Sequence, residues 1–386
     1  LLPAEESGIR FNNTITEAAD DSTLLLEFAY MGGGVGIGDF NSDGLKDIYF
    51  TGNQVSSRLY INKGNNQFED ITEKAGVATS VWATGVSIAD VNADGYDDIY
   101  VCTFGKNLSE RAKNLLFINQ HNLTFKEDAA AYNLADTSYS TQAAFFDYDR
   151  DGDLDMYLLN YMLNGPNANT IYPRNLTGTS PANDKLFRND NNFFTDVTKE
   201  AGIKDDGYGL GVVISDLNVD GYPDIYVSDD FLSNDFMWIN NKNGTFTNQV
   251  SKALRHQSYS GMGVDPADIN NDGLPDITTV DMLPENNERK KISFSFINYE
   301  RYQMERGMNY EPEFMRNMLQ LNNGTKQGDP VPFFSEIGQL AGVSETDWSW
   351  SVLIADFNND GYKDMHITNG IGRDFINADF VQFTTT

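Results

Sequence analysis

Short runs in which apolar and polar residues alternate recur along this chain, separated by Gly, Asn, Asp and Pro, and they fall into four kinds. The first kind is small and apolar: GVGIG at 34–38, GVSIA at 85–89, AAFF at 143–146, GVVIS at 211–215 and SVLIA at 351–355. The second opens on an aspartate: DIYFT from Asp47, DIYVC from Asp98, DMYLL from Asp155, DIYVS from Asp224, DITTV from Asp276 and DMHIT from Asp364. A third kind follows, as in RLYIN (58–62), LLFIN (115–119), KLFRN (185–189) and FMWIN (236–240). The fourth is FEDIT (68–72), FTDVT (194–198) or FSEIG (334–338), after which AGV or AGI often appears. Period-two alternation with β-branched and aromatic residues marks strands, and the intervening turn residues mark their ends. Four short antiparallel strands per repeat predict an all-β fold, a β-propeller of four-stranded blades. The Gly and Ala of the first run suit the innermost position, where blades crowd the axis.

Between the first and second runs stands a nonapeptide, Asp-x-Asn/Asp-x-Asp-Gly-x-x-Asp, present six times. Its copies begin at Asp39, Asp90, Asp147, Asp216, Asp268 and Asp356. Side-chain oxygens at positions 1, 3, 5 and 9, with a carbonyl at 7, form an oxygen cage for a hard cation, and Gly at 6 permits the turn. Calcium accepts six to eight such oxygens, whereas magnesium tolerates an irregular cage badly. No Cys or His lies in these loops, which argues against zinc. A metal-free Asp/Asn/Gly turn is the plain alternative. An EF-hand fails because position 12 is Phe50, Val101, Leu158, Val227, Thr279 or Ile367, each inside a strand-like run.

The order of innermost strand, nonapeptide and Asp-Ile-Tyr-Val run resembles the FG-GAP or VCBS repeat of integrin α-subunit propellers. FEDITEKAGV at 68–77, FTDVTKEAGI at 194–203, GGGVGIGDFNSDGLKDIYFTGN at 32–53 and RNMLQLNNG at 316–324 are similar to bacterial VCBS-repeat proteins related to cartilage acidic protein, among them surface lipoproteins. The resemblance implies up to six Ca²⁺ sites. The first three would be Asp39, Asn41, Asp43, Leu45 and Asp47; Asp90, Asn92, Asp94, Tyr96 and Asp98; and Asp147, Asp149, Asp151, Asp153 and Asp155. The others would be Asp216, Asn218, Asp220, Tyr222 and Asp224; Asp268, Asn270, Asp272, Leu274 and Asp276; and Asp356, Asn358, Asp360, Tyr362 and Asp364. Position 7 would act through its carbonyl. The resemblance also implies seven blades, an extracellular or cell-surface setting and a role in contact. Residues 1–10 match the end of a repeat, and no third or fourth strand run follows DMHITNG. The expectation is therefore one propeller domain over 1–386, incomplete at its C-terminal end.

Charge narrows the partner. With 27 Lys+Arg against 57 Asp+Glu the net charge is −30, so nucleic acid, which needs a basic face, is excluded. No stretch reaches the roughly 18 apolar residues of a spanning helix. One cysteine, Cys102, leaves no internal disulfide. Two insertions, 161–184 and 284–320, both follow a second strand, so they fall on the face opposite the metal loops; the latter predicts a helix around Tyr299–Gly307. Elaborated loops on a rigid scaffold carry recognition. The preferred function is a calcium-stiffened platform for a protein partner, with an outer-membrane complex as one such setting. A carbohydrate-binding propeller is the alternative, with Trp82, Trp348 and Trp350 as stacking rings, although blade packing is the favoured use of these residues. A polysaccharide-active enzyme is a third reading, resting on acid pairs such as Asp205/Asp206 and Asp229/Asp230. The scattered His121, His256 and His366 do not form a catalytic group.

Overall fold

The computed structural model describes residues 2–16, 31–105, 112–162, 170–293 and 298–370. It divides into two compact units, Leu1–Tyr161 with Asp184–Thr198, and Met162–Asn183 with Lys199–Thr386. Among the described residues each unit is built from small antiparallel sheets of the propeller-blade type.

In the first unit the sheets are β1 (Val35–Gly38), β2 (Asp47–Phe50), β3 (Arg58–Asn62) and β4 (Phe68–Asp70); β5 (Trp82–Ala89), β6 (Asp98–Gly105), β7 (Leu115–Asn119) and β8 (Phe125–Glu127); and β9 (Ser140–Phe146), β10 (Asp155–Asn160), β11 (Lys185–Asn189) and β12 (Phe194–Asp196). Strands pair in chain order within each sheet. The second unit has β13 (Gly209–Ser215), β14 (Asp224–Asp229), β15 (Phe236–Asn240) and β16 (Phe246–Asn248) as one blade. Its next blade is β18 (Val264–Ala267), β19 (Asp276–Thr279), β21 (Met318–Thr325) and β22 (Pro332–Glu336), followed by the hairpin of β23 (Ser349–Ala355) and β24 (Asp364–Asn369). A short parallel pair, β17 (Gln257–Ser258) with β20 (Glu313–Phe314), ties the second insertion to the loop after β16. The expectation that the last repeat lacks outer strands concerns residues 371–386, outside the described residues.

First strands of successive blades lie side by side, β1 by β5 and β5 by β9, then β13 by β18 and β18 by β23. Glycine permits that approach. A Cβ on Gly85 would come 2.3 Å from the Thr141 carbonyl oxygen, and one on Gly263 would come 2.8 Å from that of Trp350. The core therefore lies between facing blades. Phe40, Tyr49, Leu59 and Ile61 meet Val86, Ile99 and Val101 in one cluster. Cys102, Leu116 and Ile118 meet Met156, Leu158 and Phe187 in the next. In the second unit Tyr226, Met237 and Ile239 meet Ile277 and Phe334. Each such side chain contributes about 1.5–3 kcal/mol on burial. Because both faces of a middle strand are covered, β10 and β14 are buried at every position, and the alternation read from sequence does not become an in/out pattern there.

The fourth run is shorter as a strand than the sequence implies. β4 ends at Asp70, whose Oδ1 accepts from Thr72 N (3.0 Å) and Thr72 Oγ1 (2.6 Å), opening the helical turn Thr72–Ala75. The same turn recurs at Thr198–Ala201 and Gly338–Ala341. Ala4–Ser7 is another copy, closed by Gly8 at φ 78° as Thr72–Ala75 is closed by Gly76 at φ 76°. The matching of residues 1–10 to a repeat end is thus visible in the backbone. The predicted helix is present as Tyr299–Gly307, with Asn298 accepting from Arg301 N as its cap.

Candidate metal centres and the inserted loops

Each nonapeptide closes the hairpin between a first and a second strand, and six copies share one hydrogen-bond scheme. In the first, Asp39 Oδ1 accepts from Asp43 N (3.1 Å) and Asp39 Oδ2 from Gly44 N (2.9 Å). The equivalent pairs recur from Asp90, Asp147, Asp216, Asp268 and Asp356. The position-5 carboxylate accepts from the amide of position 7 in all six, as in Leu45 N to Asp43 Oδ1 at 2.8 Å. Position 4 is left-handed throughout: Ser42, Ala93, Arg150, Val219, Asn271 and Asn359 have φ between 55° and 66°. For a β-branched residue such as Val219 this is a strained conformation, so the loop's bonding imposes it.

Position 9 is buried in the five loops of complete blades, and both its oxygens are engaged by backbone. Asp98 Oδ2 accepts from Val91 N (3.1 Å) and its Oδ1 from Asn119 N (2.8 Å). The donor Asn119 is the last residue of its third strand; Asn62, Asn189 and Asn240, also at third-strand ends, and Asn322, inside β21, serve Asp47, Asp155, Asp224 and Asp276 in the same way. These asparagines also send Nδ2 to the carbonyl of loop position 8, at 2.9–3.2 Å. Two reach the preceding blade as well: Asn119 Nδ2 donates to Phe40 O and Asn322 Nδ2 to Leu217 O, each at 2.9 Å. Sequence reasoning overlooked this residue, although Asn ends every third-strand run it recognised.

Burial and crowding perturb the acids of these loops. Burial pushes the carboxyls of Asp98 and Asp224 up to about 7 and that of Asp155 up to about 8, with neighbouring loop carboxylates adding to the shift. In the third loop Asp147, Asp149 and Asp151 bring carboxylate oxygens within 4.8 Å of one another. Buried oxygens of Asn218 (Oδ1) and Asp153 (Oδ1) have no hydrogen-bond partner. An all-oxygen donor set of this kind fits a hard divalent cation.

Hairpin turns between third and fourth strands also touch two loops. His121 Nε2 lies 2.9 Å from Asp94 Oδ2, and its ring stacks on Tyr96 with centroids 4.2 Å apart. Lys242 Nζ lies 3.2 Å from Asp220 Oδ2 and 5.4 Å from the centre of the Tyr222 ring. No His was expected near the cages, because the nonapeptides contain none.

The insertions leave their blades at the end of the second strand away from the metal loop. In the second unit, parts of both meet: Tyr310 Oη donates to Tyr172 O (2.9 Å), and Glu311 N to Asn234 Oδ1 (2.9 Å). Tyr172, Arg174, Asp205, Ser233, Asn234 and Tyr310 line a small cavity there. Tyr299, Met304 and Phe314 of the second insertion are exposed, at 71%, 56% and 41%. Trp82 and Trp348 are buried, at 7% and 3% exposure, and Trp350 is half-buried against Gly370. None is an open stacking platform. Asp205 is held by Asn248 Nδ2 (2.7 Å) with Arg174 at 3.7 Å, and Asp229 is fully buried. His256 sits between Arg316 (3.0 Å) and Glu336 (3.3 Å), and His366 is exposed on β24. No helix among the described residues is long and apolar enough to cross a membrane.

A family model for the FG-GAP-like repeat matches residues 39–101 and 216–279. Cartilage acidic protein 1 from Xenopus tropicalis is 26% identical over 230 residues, covering 59% of this chain and 33% of the relative. The Mus musculus protein of that name is 24% identical over 200 residues (51% and 28%), and the Homo sapiens protein 25% over 203 (52% and 28%). The chain thus covers about a third or less of the length of these curated relatives. The solved crystal structure of the V. cholerae biofilm matrix protein Bap1 aligns with a TM-score of 0.36 and 14% identity, over 66% of this chain and 36% of that one.

Proposed function

For a chain that carries FG-GAP-like repeats and is distantly homologous to cartilage acidic protein 1, we propose a calcium-stiffened, extracellular or cell-surface propeller that acts as a contact platform for a protein partner. The observation that carries the calcium is the repeated loop: six times the same carboxylates are held in one scheme with oxygen donors alone. The part of the blades away from those loops carries the recognition surface. Exposed Tyr299, Met304 and Phe314, on an insertion braced by Tyr310 and Glu311, support a protein contact, because large exposed apolar groups on a held segment favour such partners. The carbohydrate reading rests on tryptophans whose rings are engaged in packing.

Calorimetric titration of the intact chain with Ca²⁺, paired with melts in Ca²⁺ and in EGTA, tests the first half. An ion at 100 times its Kd adds about 2.7 kcal/mol per site, so EGTA lowers Tm; an unchanged melt refutes the proposal. The second half predicts that Tyr299→Ala with Met304→Ala abolishes capture of a surface-protein partner without moving Tm. Capture that survives the pair of changes removes this face from the proposal.

A further inference from the structure

Four blades share one Asn-anchored bend at the end of the third-strand pairing, in hairpin turns at Gly64, His121 and Lys242 and in a bulge inside β21 at Gly324, but they do not share one side chain there. In each, the third-strand Asn accepts at Oδ1 from the amide two residues on: Gly64 (2.9 Å), His121 (3.0 Å), Lys242 (2.8 Å) and Gly324 (2.9 Å). That residue is left-handed every time, with φ 81°, 62°, 63° and 74°. Glycine adopts this without strain, whereas His and Lys do not, so the two side chains must be held by what they reach. Both reach the same two places, the position-5 carboxylate and the position-7 ring of their own blade's metal loop. The pairing is consistent. Loops with Tyr at position 7 (Tyr96, Tyr222) face His121 or Lys242, and loops with Leu (Leu45, Leu274) face glycine. Tyr362, whose blade has no described third strand, is 66% exposed, while Tyr96 and Tyr222 are partly covered.

We infer that His121 and Lys242 are positioning residues that latch the second and fourth metal loops, so that these keep their shape without an ion while the first and fifth loops depend on one. The inference rests on the calcium reading above. Without a cation the carboxylates at positions 1, 5 and 9 repel one another. An imidazole N–H or an ammonium on the outer oxygen of position 5 draws charge away from that group, and the stacked ring fixes the loop's far side. A Gly turn supplies no such contact.

Hydrogen exchange on the intact chain, with Ca²⁺ and with EGTA, tests the latch. Chelation is expected to speed exchange of 39–47 and 268–276 well beyond that of 90–98 and 216–224. His121→Gly and Lys242→Gly relax the backbone yet should raise the chelated exchange of their own loops roughly fivefold to tenfold, with calcium-loaded exchange unchanged. Lys242→Arg, which retains the donor, should keep the protection. Equal exchange of all four loops on chelation, or glycine variants whose loops stay as slow as the parent's, overturns the latch. Indifference of every loop to EGTA removes the calcium reading instead; the latch then stands if the glycine variants loosen 90–98 and 216–224 in plain buffer, and falls if they do not.

Discussion

Replacing Asn119 by alanine separates the role of the third-strand asparagine from that of the acidic loop. The side chain is 2% exposed and makes three hydrogen bonds to backbone: to Phe40 O (2.9 Å), to Asp97 O (3.2 Å), and from His121 N (3.0 Å). Alanine deletes all three and leaves buried groups unsatisfied. Each neutral bond is worth about 0.5–1.5 kcal/mol net, and an unsatisfied buried partner costs about 1–3 kcal/mol. A loss of about 3 kcal/mol is therefore expected, or roughly 6–12 °C in Tm for a cooperative unit of this size. Asn62→Ala provides the comparison, since Asn62 makes the equivalents to Lys46 O and Gly64 N, is partly exposed, and among the described residues makes no hydrogen bond to a neighbouring blade. It should cost about 1 kcal/mol less, one hydrogen bond's worth. Urea unfolding followed by tryptophan fluorescence measures both. If the two variants lose equal stability, or Asn119→Ala loses under about 1 kcal/mol, the bond between blades is not the anchor described here.

Burial pushes the carboxyls of Asp235 and Asp281 up to about 7 and about 6, from an ordinary 3.8. A folded value above the unfolded one means stability that is full below about pH 4 and lost as pH rises through about 7. The second unit should therefore unfold at lower urea at pH 8 than at pH 5, and Asp235→Asn should flatten that slope. Cys102 is buried, and burial drives its thiol far above the usual thiol range, so a thiol reagent should label it only as fast as the first unit opens. Val219 is 55% exposed at φ 56°, so Val219→Asn should raise stability by about 1 kcal/mol; an unchanged urea midpoint would contradict the strain assigned there.

The repeated acidic loops were legible because their pattern sits inside nine consecutive residues, and a local pattern survives any tertiary context. The helix at Tyr299–Gly307 was legible for the same reason, with Asn298 as its cap. The clamping asparagine was not, because its distance along the chain from position 9 varies with whatever lies between the second and third strands: Asp224 and Asn240 are 16 residues apart, whereas Asp276 and Asn322, parted by a whole insertion, are 46 apart. The left-handed position 4 escaped notice because Ser42, Ala93, Arg150 and Val219 share no side-chain property; the loop sets their backbone. The tryptophans carried an ambiguous signal. A ring at the start of a first strand can line a face or fill the gap between blades, and only the packing around Trp82 and Trp348 decides between them.

Asn119 belongs to one repeat and completes the loop of another. Asp39 N likewise donates to Asp97 Oδ2 (2.8 Å), so the first two loops are sewn together from both sides. Asn322 makes the same stitch to Leu217 in the second unit. For anyone cutting this chain into fragments, the smallest piece with a finished loop is a pair of adjoining blades rather than the repeat itself. A lone blade ending after Asp70 would expose the Phe40 carbonyl and the Asp39 amide that its neighbour normally covers. Boundaries for expression, grafting or shuffling should fall between pairs.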